Sequence, residues 1–93
     1  MTIGVLQMEF NVPGSRSLKE KRRAILSLKT MLHNRFNCSV AETGFHEKWA
    51  RAQLTACVVS GESAHANDHL NEIVRFAQNH HAALLTDYTI EML

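Results

Sequence analysis

Ten residues of alternating polarity, cut off by Pro13-Gly14 and followed at once by a helix start, constrain this chain more than any other feature. Between Ile3 and Val12 the apolar residues Leu6, Met8, Phe10 and Val12 take one side and Gln7, Glu9 and Asn11 the other, the period of a half-buried strand. Ser17 then reads as an N-cap with Glu20 three residues on, the spacing at which two side chains each satisfy an orphaned backbone N–H. The helix is predicted from about Leu18 to Arg35. At about 100° per residue, Leu18, Ile25, Leu28, Leu32 and Phe36 share its apolar face, with Ala24 and Met31 beside them.

The remaining elements follow by the same reasoning. A second strand is predicted from Asn37 to Thr43, with Cys38, Val40 and Glu42 inward, and a third from Trp49 to Ser60, with Ala52, Leu54, Ala56 and Val58 inward. The segment Gly44 to Lys48 joins them as a hairpin connection. Ser63 caps a second helix that ends near Asn79 and carries the stripe Ala66, Leu70, Ile73, Phe76 and Ala77. His80 to Leu93, with Leu84, Thr86, Tyr88 and Ile90, alternates loosely as a final strand. The order is βαββαβ. Right-handed crossovers make this an α+β, ferredoxin-like sandwich: a four-stranded antiparallel sheet with two helices on one face.

With 93 residues the expectation is one domain over residues 1–93 and one core. The hydrophobic share of 45% and charged share of 20% exclude disordered and membrane-embedded classes. No apolar run approaches the roughly 18 residues of a membrane span, and the start lacks a signal-peptide pattern, so a cytoplasmic location with no membrane partner is expected. Cys38 and Cys57 have neither disulfide-framework nor metal-ligand spacing and read as small strand residues.

Net charge is +1, but it is unevenly placed. Residues 1–36 hold seven Lys/Arg against Glu9 and Glu20, a net +5, whereas residues 37–93 hold three against seven acids, a net −4. The excess is concentrated in Arg16, Lys19, Lys21, Arg22 and Arg23, at the helix end where the backbone dipole disfavours cations. Together with Ser15 and Ser17 these residues form a candidate anion- or RNA-binding surface; a solvated basic face is the alternative. Lys21, one turn before Ile25, points toward the apolar face. A crossover brings it to the same end as the inward-facing Glu42, so the two are expected to meet at the core rim.

Other chemistries have thinner support. RNA-recognition stacking on the open sheet face lacks its aromatics, since the outward positions are Gln7, Glu9, Arg51 and Gln53. His65 and His69 share a helix face without a third ligand at recognisable spacing, so no metal or other cofactor is assigned. Ser15, Ser17 and Cys57 lack a signature linking them to a base, and an acylphosphatase-like reaction needs a strand asparagine where Gln53 stands, so no catalytic residue is assigned.

Three stretches, Ser17-Leu-Lys-Glu-Lys-Arg-Arg, Asn34-Arg-Phe-Asn-Cys-Ser-Val-Ala-Glu42 and Trp49-Ala-Arg-Ala-Gln-Leu-Thr-Ala-Cys-Val-Val-Ser60, resemble the YlxP-like family of small bacterial proteins, catalogued as a domain of unknown function. The resemblance implies a ferredoxin-like fold and, in some bacteria, a gene neighbourhood of translation initiation and ribosome maturation; it implies no reaction. It marks Ser17, Leu18, Lys19, Lys21, Arg22, Glu42, Trp49 and Ala52 as family-typical. Phe45-His46-Glu47-Lys48 departs from the His-Gln-Asp-Leu segment of many relatives. The expected function is a non-enzymatic protein binding RNA or a ribosomal particle through Arg16 to Arg23, supported by Glu42, Arg51 and Trp49, with Trp49 anchoring the hairpin. The alternatives are a homodimer joined through the open sheet face, where Ala41, Thr55, Cys57 and Val59 lie, or a small-anion-binding domain.

Overall fold

The computed structural model describes all 93 residues. The elements are β1 (Thr2–Asn11), α1 (Leu18–Arg35), β2 (Ser39–Gly44), β3 (Arg51–Ser60), α2 (Ser63–Gln78) and β4 (Leu84–Met92). The strands form one antiparallel sheet in the order β2-β3-β1-β4, the ferredoxin-like arrangement expected from βαββαβ. Both crossovers place their helices on one face, and the core lies between. Leu6, Met8, Phe10 and Val12 meet Ala52, Leu54, Ala56 and Val58 from the sheet, under Ile25, Leu28 and Leu32 of α1 and Ala66, Leu70, Ile73, Val74 and Ala77 of α2. Small residues on β3 alternate with the larger ones of β1, so the helices approach closely.

Capping follows sequence at one helix and departs from it at the other. At α1, Ser17 Oγ accepts from the Glu20 N–H at 3.1 Å, while the Glu20 carboxylate accepts from the Arg16 N–H at 2.6 Å, one residue beyond the usual capping-box donor. At α2 the cap position is Glu62, with no side-chain cap bond, and Ser63 is already helical. The Ser63 hydroxyl instead meets the Thr2 hydroxyl at 3.1 Å, joining the helix start to β1.

Two bulges explain where alternation loosens. Across β1 and β4, Glu9 pairs with Asp87 and Phe10 with Leu85, leaving Thr86 as an extra residue whose hydroxyl donates to the Glu9 carbonyl at 3.2 Å. The parity of β4 therefore reverses there: Leu85, not Leu84, turns to the core. The strand also starts at Leu84 instead of His80, because His80 Nδ1 accepts from the Ala83 N–H at 3.2 Å and holds that segment in a turn. The second bulge, at Thr43 between β2 and β3, immediately precedes the hairpin connection. Met31, placed beside the apolar face by periodicity, is 42% exposed.

Gly4 shows how little slack the core has. A Cβ there would stand 2.9 Å from Leu70 Cδ1 and 3.2 Å from Val58 Cγ2, both on buried residues. Gly4→Val should therefore lower the unfolding free energy by about 1–3 kcal/mol through overpacking, measured by urea denaturation.

Candidate functional site

Consecutive helical residues step by about 100°, so the cations from Lys19 to Arg23 cannot all face one way. Lys19, Arg22 and Arg23 fall within an arc of about 100° and are exposed, with Arg16 exposed just before the helix. Lys21 faces the opposite side and is 0% exposed. The structure thus divides the basic run into an exposed row and one buried amine, with Ser15 and Ser17 half-buried at the turn.

The buried amine has two partners. Lys21 Nζ donates to the Phe45 carbonyl at 2.6 Å and stands 2.9 Å from Glu42 Oε2. That carboxylate oxygen makes no well-directed hydrogen bond, so the attraction is chiefly coulombic. Glu42 reaches the rim, its side chain 20% exposed, whereas the ammonium has no access to water. This is the meeting that strand parity predicts. Parity carries no information about the Phe45 carbonyl, which depends on the turn.

The turn is built around Phe45. Its φ of 58° lies in the left-handed region, uncommon for a bulky residue. Its carbonyl accepts from the Lys48 N–H at 3.0 Å as well as from Lys21, using both lone pairs. Its ring lies under the Arg51 guanidinium at 4.2 Å, and Arg51 reaches Glu9 at 3.4 Å. His46 Nε2 lies 3.2 Å from the Glu42 carbonyl, and the Val12 N–H donates to the Ala50 carbonyl at 2.7 Å. The hairpin is thus held against both α1 and the end of β1. Trp49, expected to anchor it, is instead 55% exposed.

One end of the molecule therefore gathers the β1–α1 turn, the hairpin and the α2–β4 connection. Arg23, Glu20 and His81 line an open cleft of about 410 Å³ between the first and last of these. The molecule's two side-chain ion pairs are Lys21–Glu42 and Arg51–Glu9, so Arg16, Lys19, Arg22 and Arg23 project without a carboxylate partner. The α1 backbone donors are less open to a ligand than the sequence suggests, because the Ser17 hydroxyl and the Glu20 carboxylate already accept from two of the N–H groups there.

The other candidates are dispersed. A hollow of about 820 Å³ lies between the end of α1 and α2, where Phe36 and Phe76 meet edge to face at 5.7 Å and Arg35 covers Phe76 at 5.0 Å. Its lining sets Arg35 and Arg75 against Glu72, beside Asn37, His69 and Asn79. The rings of His65 and His69 stand 6.5 Å apart, and no group of three or more His, Cys, Asp or Glu is placed to hold a metal ion. Cys38 is free and turned to the core, and burial, reinforced by Cys57, pushes its thiol pKa up. No helix is long and apolar enough to cross a membrane.

A family model described as "Protein of unknown function (DUF503)" matches residues 3–90, nearly the whole chain. The chain belongs to the DUF503 family. It is also 30% identical over 74 residues to "Uncharacterized protein YlxP" of Bacillus subtilis (strain 168), an alignment covering 80% of each chain. The family is thus the YlxP-like one that the three sequence stretches resemble.

Two expectations follow from the buried groups. Glu42→Ala leaves the enclosed Lys21 ammonium without its counter-charge and should cost about 3 kcal/mol, whereas Lys21→Met, which leaves a carboxylate able to reach water, should cost less; urea denaturation of both variants checks the order. His80 is 7% exposed, and burial, with His81 adding to it, lowers its pKa below the ordinary 6.5. The unfolded chain then takes up the proton first, so this contribution to stability is complete above about pH 6.5 and is lost as pH falls below it. Thermal unfolding between pH 7.5 and 5 should show that decline, and His80→Asn, which retains an acceptor for the Ala83 N–H, should flatten it.

Proposed function

We propose that this protein is a non-enzymatic cytoplasmic binding protein that engages RNA, free or within a ribosomal particle, through the exposed cations Arg16, Lys19, Arg22 and Arg23. The observation that carries this reading is the lack of internal partners for four neighbouring cations, while the more enclosed Lys21 has a dedicated carboxylate. Exposed cations on one helical arc match the spaced negative charge of a phosphate backbone, and their field acts over about 10 Å at 0.1 M salt. Lys21, Glu42 and Arg51 then have a supporting role: they hold the hairpin against the start of α1, from the side opposite this row, without meeting the ligand.

A small anion fits the same end less well, because Glu20 already places a carboxylate at the α1 start. Phosphates spread along the outer arc of α1 avoid that repulsion. The open sheet face offers Ile3, Val5, Cys57 and Val59 beside Gln7, Glu9 and Thr55, and no feature of that mixture selects a second copy as its partner.

The test is binding of an RNA hairpin and of 30S ribosomal particles as a function of salt. Log affinity should fall with log salt at a slope of about −2 to −3 if three or four phosphates are contacted. Arg22→Glu combined with Arg23→Glu should weaken binding at low salt by at least about tenfold and reduce the slope by about 2. Indistinguishable binding by the variant overturns the reading.

A further inference from the structure

β2 is one edge of the sheet, and the alternation of an antiparallel ladder fixes which of its backbone groups lie open. Ile3 and Leu93 exchange both their hydrogen bonds, and the Val12 N–H donates to the Ala50 carbonyl, so odd-numbered residues of β1 turn their backbone groups toward β4 and even-numbered ones toward β3. The even-numbered residues of β3 answer them, which leaves Thr55 and Cys57 to bond Ala41 and Ser39. Val40 and Glu42 therefore direct N–H and C=O away from the sheet. Two histidines agree with this parity: His33 Nδ1 donates to the Cys38 carbonyl at 3.3 Å and His46 Nε2 to the Glu42 carbonyl at 3.2 Å. The open stretch between these contacts is centred on Val40.

Val40 is also where β2 borders a recess. Its side chain, on the helix side of the strand, lines a hollow of about 220 Å³ with Leu26, Lys29, Thr30 and His33 of α1. Leu26 is 62% exposed. Lys29 has no carboxylate partner, since the molecule's ion pairs are Lys21–Glu42 and Arg51–Glu9. The helix and β2 run in opposite directions, with Lys21 against Glu42 and His33 against Cys38, so Lys29 falls level with the stretch between Val40 and Cys38. A strand laid along β2 bonds its backbone to Val40 and places every second side chain on the helix side, beside Val40 and against Leu26.

Charge selects the occupant. Lys29 carries the one fixed charge of the recess and suits a carboxylate. A second copy offering its own β2 brings Lys29 of both chains together, like charge against like. A nucleic acid strand has no alternating N–H and C=O groups with which to continue the ladder, and Leu26 and Val40 offer a phosphate nothing. We infer that the edge of β2 and the recess beside Leu26 form a docking site for a short extended peptide of another protein, added antiparallel to β2 with an apolar side chain opposite Val40 and a carboxylate two residues later, within reach of Lys29. Antiparallel pairing continues the sheet as it stands and is the more stable per residue. The histidine contacts stop the ladder at both ends, so the added segment is short and its binding weak and reversible. This site is separate from the RNA surface, whose cations lie nearer the start of α1.

The test follows the ¹⁵N-labelled full chain by NMR during titration with the capped peptide Thr-Ser-Thr-Leu-Thr-Asp-Thr. Parallel titrations use versions with Lys in place of Asp, Ser in place of Leu, or an N-methyl group on the leucine amide, and a single-stranded RNA of about 12 nucleotides. The first peptide should shift the amide resonances of Leu26 and Val40 and, near saturation, slow hydrogen exchange at the Val40 N–H by at least about threefold. Each altered peptide should bind at least about threefold more weakly. Lys29→Glu should reverse the preference, so that the Lys peptide binds better than the Asp peptide, a reversal that impaired folding cannot produce. Resonances of Val40 that do not move, binding indifferent to N-methylation, or a preference that Lys29→Glu leaves unreversed overturns the peptide site. It is equally overturned if the Val40 N–H is protected without peptide in a concentration-dependent dimer, which makes the occupant a second copy, or if the RNA and not the peptide shifts Leu26 and Val40.

Discussion

The Lys21 ammonium is where helix, sheet and hairpin meet, and the arrangement of the functional end depends on it. Enclosing an unpaired charge costs several kcal/mol, so the fold tolerates this amine only with Glu42 and the Phe45 carbonyl in place. Those two partners come from the end of β2 and from the turn after it, while the amine comes from the second turn of α1. The contact therefore locks α1 to the hairpin in position and direction. The backbone that presents this carbonyl to the helix combines the left-handed Phe45 conformation with the bulge at Thr43 two residues before it.

Around that lock, charge and exposure are sorted. The lysine that is enclosed has its counter-ion, and the cations that are not paired remain in water on the outer arc of α1. Enclosure and exposure thus fall to different members of one basic run, and a helical step of about 100° is enough to separate them. The same division applies to the aromatics. Phe36 and Phe76 meet between the helices and Phe45 braces Arg51, whereas Trp49 takes part in no ring pair or cation–π contact and is more than half exposed.

Much of this was legible in the residues. Period-two alternation locates β1 and the core face of β3, the Ser17–Glu20 spacing locates the start of α1, and inward parity brings Lys21 and Glu42 together. The errors have physical causes. The alternation of Leu84, Thr86, Tyr88 and Ile90 breaks because a bulge at Thr86 inserts a residue and turns Leu85 to the core, and a bulge leaves no mark in hydropathy beyond weaker alternation. Ser63 is a residue type that favours a cap, but the cap position falls on Glu62 and the Ser63 hydroxyl bonds to Thr2 on β1, distant in sequence. Trp49, expected to anchor the hairpin, is 55% exposed, and the hairpin is held by the Phe45 carbonyl, the Phe45 ring and the Ala50 carbonyl.

The sequence by itself determined the order of elements, the two faces of each and the excess of positive charge at the start of α1, because periodicity, caps and composition are local and survive in one dimension. Tertiary structure alone decided that the enclosed amine also takes the Phe45 carbonyl, which cations remain unpaired and which aromatic is exposed. Those outcomes depend on distances between segments far apart in the chain, set by the bulges and by the turn at Phe45, and a hydrogen bond to a backbone carbonyl such as that of Phe45 is encoded by no side chain.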